Sequence, residues 1–331
     1  MDKKTLNLIW MIFVVVLAVV PLVINSQYIF HVLIMAGIYV VLAISLNLLL
    51  GSTGLFSLGH AAFYGIGAYA SALLSIKLQL PFLFTFIFGG VMAALIGGII
   101  AFPALRLKGI FLAIGTMGFN EIVRLLAINL DELTGGPAGL PGISQPVVFG
   151  FDISQPRDYY VAMLVFVLLT YCVFHRLLTT RPGRALIAIR DDEIAARSMG
   201  IHVTLYKVAA FVISSFFAGL AGSFFAHYMT YISPDNFGLS ESFGILAMIA
   251  LGGIGNLAGS VIGALVLVII PEAFRFLQDY RQFIYGLTII TTMLVLPQGV
   301  AGWYSQLLFT LQNRRINEEK GDISQPKEQE V

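Results

Sequence analysis

The stretch HVLIMAGIYVVLAISLNLLL, residues 31–50, runs for twenty residues without a single Asp, Glu, Lys or Arg. An α-helix needs about 20 predominantly apolar residues to cross the hydrocarbon core of a bilayer. The whole chain has this character: 58% of its 331 residues are hydrophobic and only 11% are charged, and its mean hydropathy is +0.89. Soluble proteins average about 25% charged residues. The sequence therefore predicts an all-α polytopic membrane protein.

Further apolar segments predict about ten transmembrane helices, some of them broken or partial. Those near 57–76 and 241–256 are rich in glycine, which favours interrupted helices. The segment 6–25 follows two lysines but precedes no small-residue cleavage site, which favours a retained span over a cleaved signal peptide. The predicted spans lie near 6–25, 30–50, 57–76, 82–102, 109–128, 159–178, 206–230, 241–256, 258–274 and 283–303.

The lysines and arginines predict the orientation, because cytoplasmic loops carry an excess of both. With the N-terminus in the cytoplasm, fourteen of the 19 Lys and Arg residues lie inside and five outside. This favours an even number of spans with both termini cytoplasmic, and eight spans would satisfy it as well as ten. Residues 1–311 then form a transmembrane domain with a cytoplasmic segment at 181–205 and a Gly- and Pro-rich outer loop at 131–158. The polar residues 312–331 are expected to form a disordered cytoplasmic tail.

A second unusual stretch, GRALIAIRDDEIAARSMGI at 183–201, concentrates charge within this hydrophobic chain. Pro182 suits the first turn of a helix, Asp191 or Asp192 can cap a second helix, and Gly200 suits the left-handed position that ends it. A topology anchor would explain the arginines, whereas a docking surface for a soluble partner would also explain the acids, which contribute little to orientation. The candidate docking residues are Arg184, Arg190, Asp191, Asp192, Glu193, Arg197 and Gly200.

Glycines follow two apolar segments, in LLLGSTGLFSLGHAAF from Leu48 and in IALGGIGNLAGSVIGA from Ile249. Both stretches contain G-x-x-G, a faint sign of an internal repeat. Tight helix packing explains such glycines. Irregular backbone beside a pathway explains them as well, because it is tolerated at membrane depth only inside protein or against water. The candidate pathway residues are Asn47, Gly51, Gly54, His60, Gly252, Gly255 and Asn256.

Other polar residues and motifs narrow the function. Glu121 and Arg124 are three residues apart and can pair on one helix face. No chain of acids runs through the spans, which weakens a proton-coupled mechanism. The lone Cys172 excludes an internal disulfide and, within an apolar run, is expected to be a buried thiol. The sequence contains no G-x-x-x-x-G-K-[ST] phosphate loop and no H-E-x-x-H motif, and its net charge is +1. We expect no catalytic residue, metal site, cofactor or nucleic-acid partner in this chain.

Four blocks of the sequence resemble the membrane permease subunits of branched-chain amino acid ABC importers, of the LivM type. They cover much of the chain between about 30 and 305 and are specific in combination. The blocks are NLLLGSTGLFSLGHAAFYGIGAYASALL (47–74), LTGGPAGLPGI (133–143), GRALIAIRDDEIAARSMGIHVTLYKVAAFVISSFFAGLAGS (183–223) and LGGIGNLAGSVIGA (251–264).

The resemblance implies a bacterial or archaeal cell (inner) membrane protein that forms part of the route for branched-chain amino acids. It implies a second related permease, two ATP-binding subunits that hold ATP and Mg, and an extracytoplasmic substrate-binding protein. An ATPase-docking motif, E-A-A-x-x-x-G, is matched only in degenerate form, by Glu193, Ala195, Ala196 and Gly200. A urea or short-chain amide importer would share every block, and an ATP-independent secondary transporter or channel is the alternative from another class.

Overall fold

The structure is a computed structural model that describes residues 26–148, 151–273 and 280–295. Within these ranges the chain is built almost wholly of α-helices, which confirms the predicted class. The helices in chain order are α1 (Gln27–Thr53), α2 (His60–Leu78), α3 (Phe82–Ala104), α4 (Ile110–Asn129), α5 (Asp131–Thr134), α6 (Pro156–Thr179), α7 (Arg181–Asp191), α8 (Glu193–Ser198), α9 (Val203–Met229), α10 (Leu239–Gly252), α11 (Leu257–Ala273) and α12 (Arg281–Val295).

Six of these helices, α1 to α4, α6 and α9, are long and apolar enough to cross a membrane. Their bounds lie within a few residues of the predicted spans. The interruption predicted in 241–256 is present, because α10 ends at Gly252 and α11 begins at Leu257. The interruption predicted in 57–76 is wrong, because α2 is continuous from His60 to Leu78 and its glycines serve close packing, as at Gly67 against Gly219. The predicted first span at 6–25 and the tail at 312–331 lie outside the described residues, so the total of ten spans and the cytoplasmic termini stay predictions.

The helix α1 lies at the centre of the fold and is buried from Ile38 to Thr53. Around it pack α6, α9, α10 and α11. A second contact region joins α2, α3 and α9, where small residues let the backbones approach: a Cβ on Gly67 would overlap the backbone of Gly219. Close approach through glycine is the usual way to gain van der Waals contact between helices in lipid.

Polar residues on one face of α4 bind two irregular segments of the chain inside the bundle. Thr116, Asn120 and Arg124 are four residues apart and therefore lie one above the other on a helix. The Thr116 hydroxyl accepts the backbone N–H of Leu58 at 2.9 Å, and the Asn120 amide donates to the Phe237 carbonyl at 3.3 Å. This stripe fixes the irregular segments at 54–59 and 233–238.

At the end of that stripe, Arg124 forms two ion pairs. It contacts Asp235 at 2.8 Å and Glu121 at 3.1 Å. The predicted pairing of Glu121 with Arg124 is thus confirmed. The predicted burial of Cys172 is wrong, because the Cys172 side chain is exposed on the surface of α6. An apolar run in a membrane helix has a lipid-facing side as well as a packed one, and sequence hydropathy does not distinguish them.

The segment between α4 and α6 contains short elements and no regular span, as its Gly and Pro residues predict. After α5 come a 3₁₀ turn (Gly136–Ala138), β1 (Leu140–Pro141), β2 (Val147–Val148) and β3 (Phe151–Asp152). The strand β1 pairs with β4 (Tyr231–Ile232), next to the end of α9. Because α6 runs from this loop to α7, the loop and the charged segment lie at opposite ends of the bundle.

Candidate functional site

The charged segment forms two short helices, α7 and α8, as its sequence predicts. Asp192 is the N-cap of α8, and its carboxylate accepts the backbone N–H groups of Ile194 and Ala195 at 2.8 and 3.0 Å. Gly200 follows α8 with φ +81°, in the left-handed region. Ile189, Ala196 and Val203 form a small buried cluster between the two helices and the start of α9. The segment is therefore a defined structural unit, which we call the coupling segment (181–205) after the role proposed for it below.

Glu193 ties the coupling segment to the adjoining helix. Its carboxylate accepts a hydrogen bond from the Lys207 ammonium at 2.6 Å and also pairs with Arg197 at 3.4 Å. The hydrogen bond from Lys207 is the main cause that lowers the pKa of Glu193 below its ordinary value, and the charges of Lys108 and Arg197 add to the effect. Glu193 thus has a partner inside the chain.

Three large apolar side chains of the coupling segment are exposed. Ile194, Met199 and Leu205 are 81%, 82% and 68% exposed. The charged residues Arg184, Asp191 and Arg197 are exposed as well. Apolar side chains within a charged rim are typical of a surface that meets another protein.

At the same end of the bundle, the two predicted glycine segments meet. A Cβ on Gly51 would lie 2.6 Å from the Cα of Gly255. Asn47 holds them together: its side-chain oxygen accepts the Gly255 N–H at 2.8 Å, and its amide donates to the Asn256 carbonyl at 3.1 Å and to the Ser260 hydroxyl at 2.8 Å. One buried amide therefore joins the end of α1 to the turn between α10 and α11.

Arg190, on the last turn of α7, reaches this junction. Its Nη1 donates a hydrogen bond to the Gly51 carbonyl. A Cβ on Gly255 would lie 2.8 Å from that same Nη1, and a Cβ on Gly54 would lie 3.6 Å from the Arg190 Cγ. Gly54 and Gly255 have φ of +71° and +88°, where a side chain is strained. We call the contact of Arg190, Asn47, Gly51, Gly54 and Gly255 the glycine junction.

Three of the predicted pathway residues make contacts outside the glycine junction. A Cβ on Gly252 would overlap the Gly259 carbonyl, so Gly252 provides close packing between α10 and α11. His60 is fully buried at the start of α2, where its Nε2 contacts the Ser45 hydroxyl at 2.8 Å. Asn256 accepts the Gly259 N–H at 3.0 Å, as a helix cap does. The roles of all these residues in transport stay predictions.

Sequence reasoning missed the polar residues that complete these contacts. Ser260, which binds the Asn47 amide, and Thr116, which holds the Leu58 N–H, are small polar residues within apolar segments. The sequence did contain a signal for both residues, because a hydroxyl group within an apolar membrane segment needs a hydrogen-bond partner. Across residues 26–148, 151–273 and 280–295, no group of three or more His, Cys, Asp or Glu side chains could hold a metal ion.

Comparison with known proteins identifies the family of the chain. A family model described as "Branched-chain amino acid transport system / permease component" matches residues 28–293. The chain belongs to this family. The match includes the coupling segment, the glycine junction and the loop at the opposite end of the bundle. The chain is therefore a transporter permease component and a membrane protein.

Several curated permeases are similar to the chain over most of its length. The high-affinity branched-chain amino acid transport system permease protein LivM of Escherichia coli (strain K12) is 39% identical over 286 residues, which cover 80% of this chain and 67% of that relative. A probable LivM of Methanocaldococcus jannaschii is 26% identical over 71% of this chain and 77% of its own. The autoinducer 2 import permease LsrC of Enterobacter sp. (strain 638) is 28% identical over 66% of this chain and 63% of its own. No solved structure matches the chain.

Proposed function

We propose that this chain is one transmembrane permease subunit of an ATP-driven importer in the cell (inner) membrane of a bacterium or archaeon. Its cargo is branched-chain amino acids, as the name of the Escherichia coli relative suggests. The complex would contain a second related permease, two ATP-binding subunits that hold ATP and Mg, and an extracytoplasmic substrate-binding protein. Residues 1–311 form the permease domain and 312–331 its cytoplasmic tail.

The observation that carries the proposal is the contact between Arg190 and Gly51. It links a surface that can meet a soluble subunit directly to two interrupted helices. A push on α7 moves the Arg190 guanidinium, and with it the end of α1. Because Asn47 connects α1 to the Gly255 N–H, the turn between α10 and α11 must follow. A movement of the coupling segment would thereby be transmitted to α1 and to the turn between α10 and α11.

The exposed side chains of the coupling segment suit contact with an ATPase subunit. Ile194 and Met199 would fill an apolar depression, and exposed charges such as Arg184 and Asp191 would fix the register on a polar rim. Apolar centres with polar rims are the usual anatomy of protein interfaces. Asp192 and Glu193 serve another purpose, since the first caps α8 and the second binds Lys207.

The pathway itself would pass beside the glycine junction, at the interface with the second permease. There the backbone turns expose peptide groups that only protein or water can satisfy. The junction contains one guanidinium and otherwise amide and backbone groups, so few charges would oppose the passage of an aliphatic side chain once the closely packed glycines move apart.

Reconstituted transport tests this function. Vesicles that contain the chain with its partner permease, ATPase subunits and binding protein should take up labelled leucine only when ATP is present inside. Excess unlabelled valine should compete, and excess urea should not. Uptake by the chain alone, without ATP or the ATPase subunits, would contradict the proposal and support a secondary transporter or channel.

A further inference from the structure

An apolar groove lies between α3, α6 and α9, in the half of the bundle that carries the coupling segment. Its two connected parts measure 470 and 280 Å³ and share Ala94, Val212 and Phe216. Val173 and Leu177, which also line it, belong to the last two turns of α6, just before α7. Every side chain in the lining is aliphatic or aromatic, so the groove suits an apolar chain.

Small residues on α3 form the floor of the groove. Ala94 and Gly98 are four residues apart and therefore lie on one face of the helix. A Cβ on Gly98 would lie 3.3 Å from the Val212 Cγ2, so α9 lies directly beneath. Leu95 and Ile99 also line the groove and are 57% and 68% exposed. They form a raised wall beside the small residues, which gives the groove its depth.

An aromatic contact between α3 and α6 closes the groove at the end farther from the coupling segment. The rings of Phe86 and Phe166 meet edge to face with their centroids 5.3 Å apart. Phe166 also stacks on Phe224 of α9, with the ring centroids 6.1 Å apart. Between this contact and α7, Val173 and Leu177 form the second wall of the groove.

The length of the groove matches one leaflet of a bilayer. Val91 and Phe102 both line it, and at 1.5 Å per residue they are about 16 Å apart along α3. The hydrocarbon core is about 30 Å thick, so one leaflet supplies about 15 Å. A transmembrane helix of another subunit would run on past the Phe86–Phe166 contact, whereas an acyl chain of one leaflet ends near it.

Two arginines follow the groove at the end nearer the coupling segment. Arg106 comes one turn after Phe102, and Arg181 comes one turn after Leu177. Both are exposed, and neither forms an ion pair within the described ranges. Guanidinium groups bind phosphate oxygens through paired hydrogen bonds, and basic residues beside the cytoplasmic leaflet attract anionic lipids. Apolar lining and positive charge therefore occur in the order of a lipid tail and its headgroup.

We propose that this groove binds an anionic phospholipid of the cytoplasmic leaflet. One acyl chain lies over Gly98, and its end reaches the contact of Phe86 with Phe166. The phosphate binds Arg106 and Arg181. The choice of leaflet rests on the proposed function, which places the coupling segment in the cytoplasm, whereas the fit of the groove to a lipid does not.

Photoactivatable lipids test the site in the reconstituted importer. Phosphatidylglycerol and phosphatidylcholine probes with identical acyl chains, each with a diazirine in mid-chain, are added separately to vesicles of phosphatidylethanolamine. On peptides that contain residues 91–102 or 173–177, the phosphatidylglycerol probe should give about fivefold more label or higher, the effect of one basic residue at a membrane surface. On the lipid-facing helix α4, residues 110–129, the two probes should label equally.

Substitutions separate the apolar and the charged parts of the site. Ala94→Leu fills the floor of the groove and should remove most of the label from its peptides. Gly118→Leu is the matched control, because a Cβ there has nothing within 4 Å on the surface of α4. The double variant Arg106→Gln with Arg181→Gln should abolish the preference for phosphatidylglycerol and keep the phosphatidylcholine label. Because both arginines are exposed, this variant decides the matter if Ala94→Leu does not assemble.

The outcomes separate this site from the function of the importer. The same ratio of the two probes in the groove and on α4 would mean ordinary lipid contact and overturn the site. Absence of lipid label from the groove would mean that protein covers it, either the second permease or another part of this chain, and would also overturn the site. Selective label without ATP-driven leucine uptake would overturn the proposed function and leave the lipid site in place.

Discussion

The Arg190 side chain donates a hydrogen bond to the carbonyl oxygen of Gly51, 139 positions earlier in the chain. The donor belongs to a short helix outside the spans, and the acceptor to the last turn of α1, which is buried from Ile38 to Thr53. A carbonyl so close to a helix C-terminus lacks an intrahelical partner, so a cation there is both a cap and a mechanical link.

We predict that Arg190→Gln uncouples the importer. Hydrogen bonds to charged groups contribute about 1.5–3 kcal/mol, and each 1.4 kcal/mol changes an equilibrium constant about tenfold. Leucine uptake per ATP hydrolysed should therefore fall about tenfold or more. Reconstituted vesicles that report both rates measure this ratio. Arg176→Gln is the control, because Arg176 is exposed in the last turn of α6 and lies outside the coupling segment. Equal ratios in the two variants would show that the Arg190 contact does not transmit motion.

The two strained glycines should respond differently to alanine. Both Gly54→Ala and Gly255→Ala place a side chain in the left-handed region, at a cost of about 1–2 kcal/mol. Only the Gly255 variant would also press on Arg190, since its Cβ would lie 2.8 Å from Nη1. We expect similar losses of thermal stability but a larger loss of uptake for Gly255→Ala. If Gly54→Ala impairs uptake as much, backbone strain alone accounts for both effects.

The acids of the coupling segment should separate into structural and docking residues. Asp192→Ala removes the cap of α8 and should cost about 1 kcal/mol of local stability. Asp191 is exposed and forms no ion pair within the described ranges, so Asp191→Lys should leave the fold intact and weaken copurification of the ATPase subunit. Hydrogen exchange of α8 and copurification yield measure the two effects. Unchanged copurification with Asp191→Lys would remove Asp191 from the docking surface.

The Glu193–Lys207 pair predicts a pH dependence. The folded pKa of Glu193 is lowered, so its contribution to stability is fully present above its ordinary value, about 4.5, and is lost as the pH falls through the folded pKa. The protection factors of the α8 amides, which compare exchange with that of an unstructured peptide at the same pH, should therefore fall in this acidic range and stay constant above it. In Glu193→Gln the acid-induced change should be smaller, and an identical profile would exclude Glu193 as its source.

The loop between α4 and α6 should be accessible from outside the cell. Ala138 is exposed there. In a Cys172→Ala background, which removes the native exposed thiol, Ala138→Cys should react with an impermeant maleimide in intact cells. A photocrosslinker at Ala138 or Ser144 should then capture the substrate-binding protein. Reaction only after the cytoplasmic side is exposed would overturn both the loop's role and the predicted orientation.

The helices, the two glycine segments and the capped coupling segment were predictable because each leaves a local signal. Hydropathy marks the spans, and Asp192 and Gly200 mark the ends of α8. The contact of Arg190 with Gly51 was not predictable, because nothing in either segment specifies a partner so distant in sequence. The same applies to Cys172, whose exposure depends on which face of α6 meets its neighbours.

The stripe on α4 has a consequence for the order of events during synthesis. Arg124 leaves the ribosome 111 residues before Asp235, its partner at 2.8 Å. A lone arginine costs about 2.5–3.5 kcal/mol at the centre of a newly inserted helix, and less near the helix end, where Arg124 lies in α4. Glu121, one turn away and 3.1 Å from Arg124, is already present and can neutralise that charge while the chain grows. We therefore expect Glu121 to serve as the counterion of Arg124 during membrane insertion, and Asp235 to complete the arrangement once the last third of the chain has arrived.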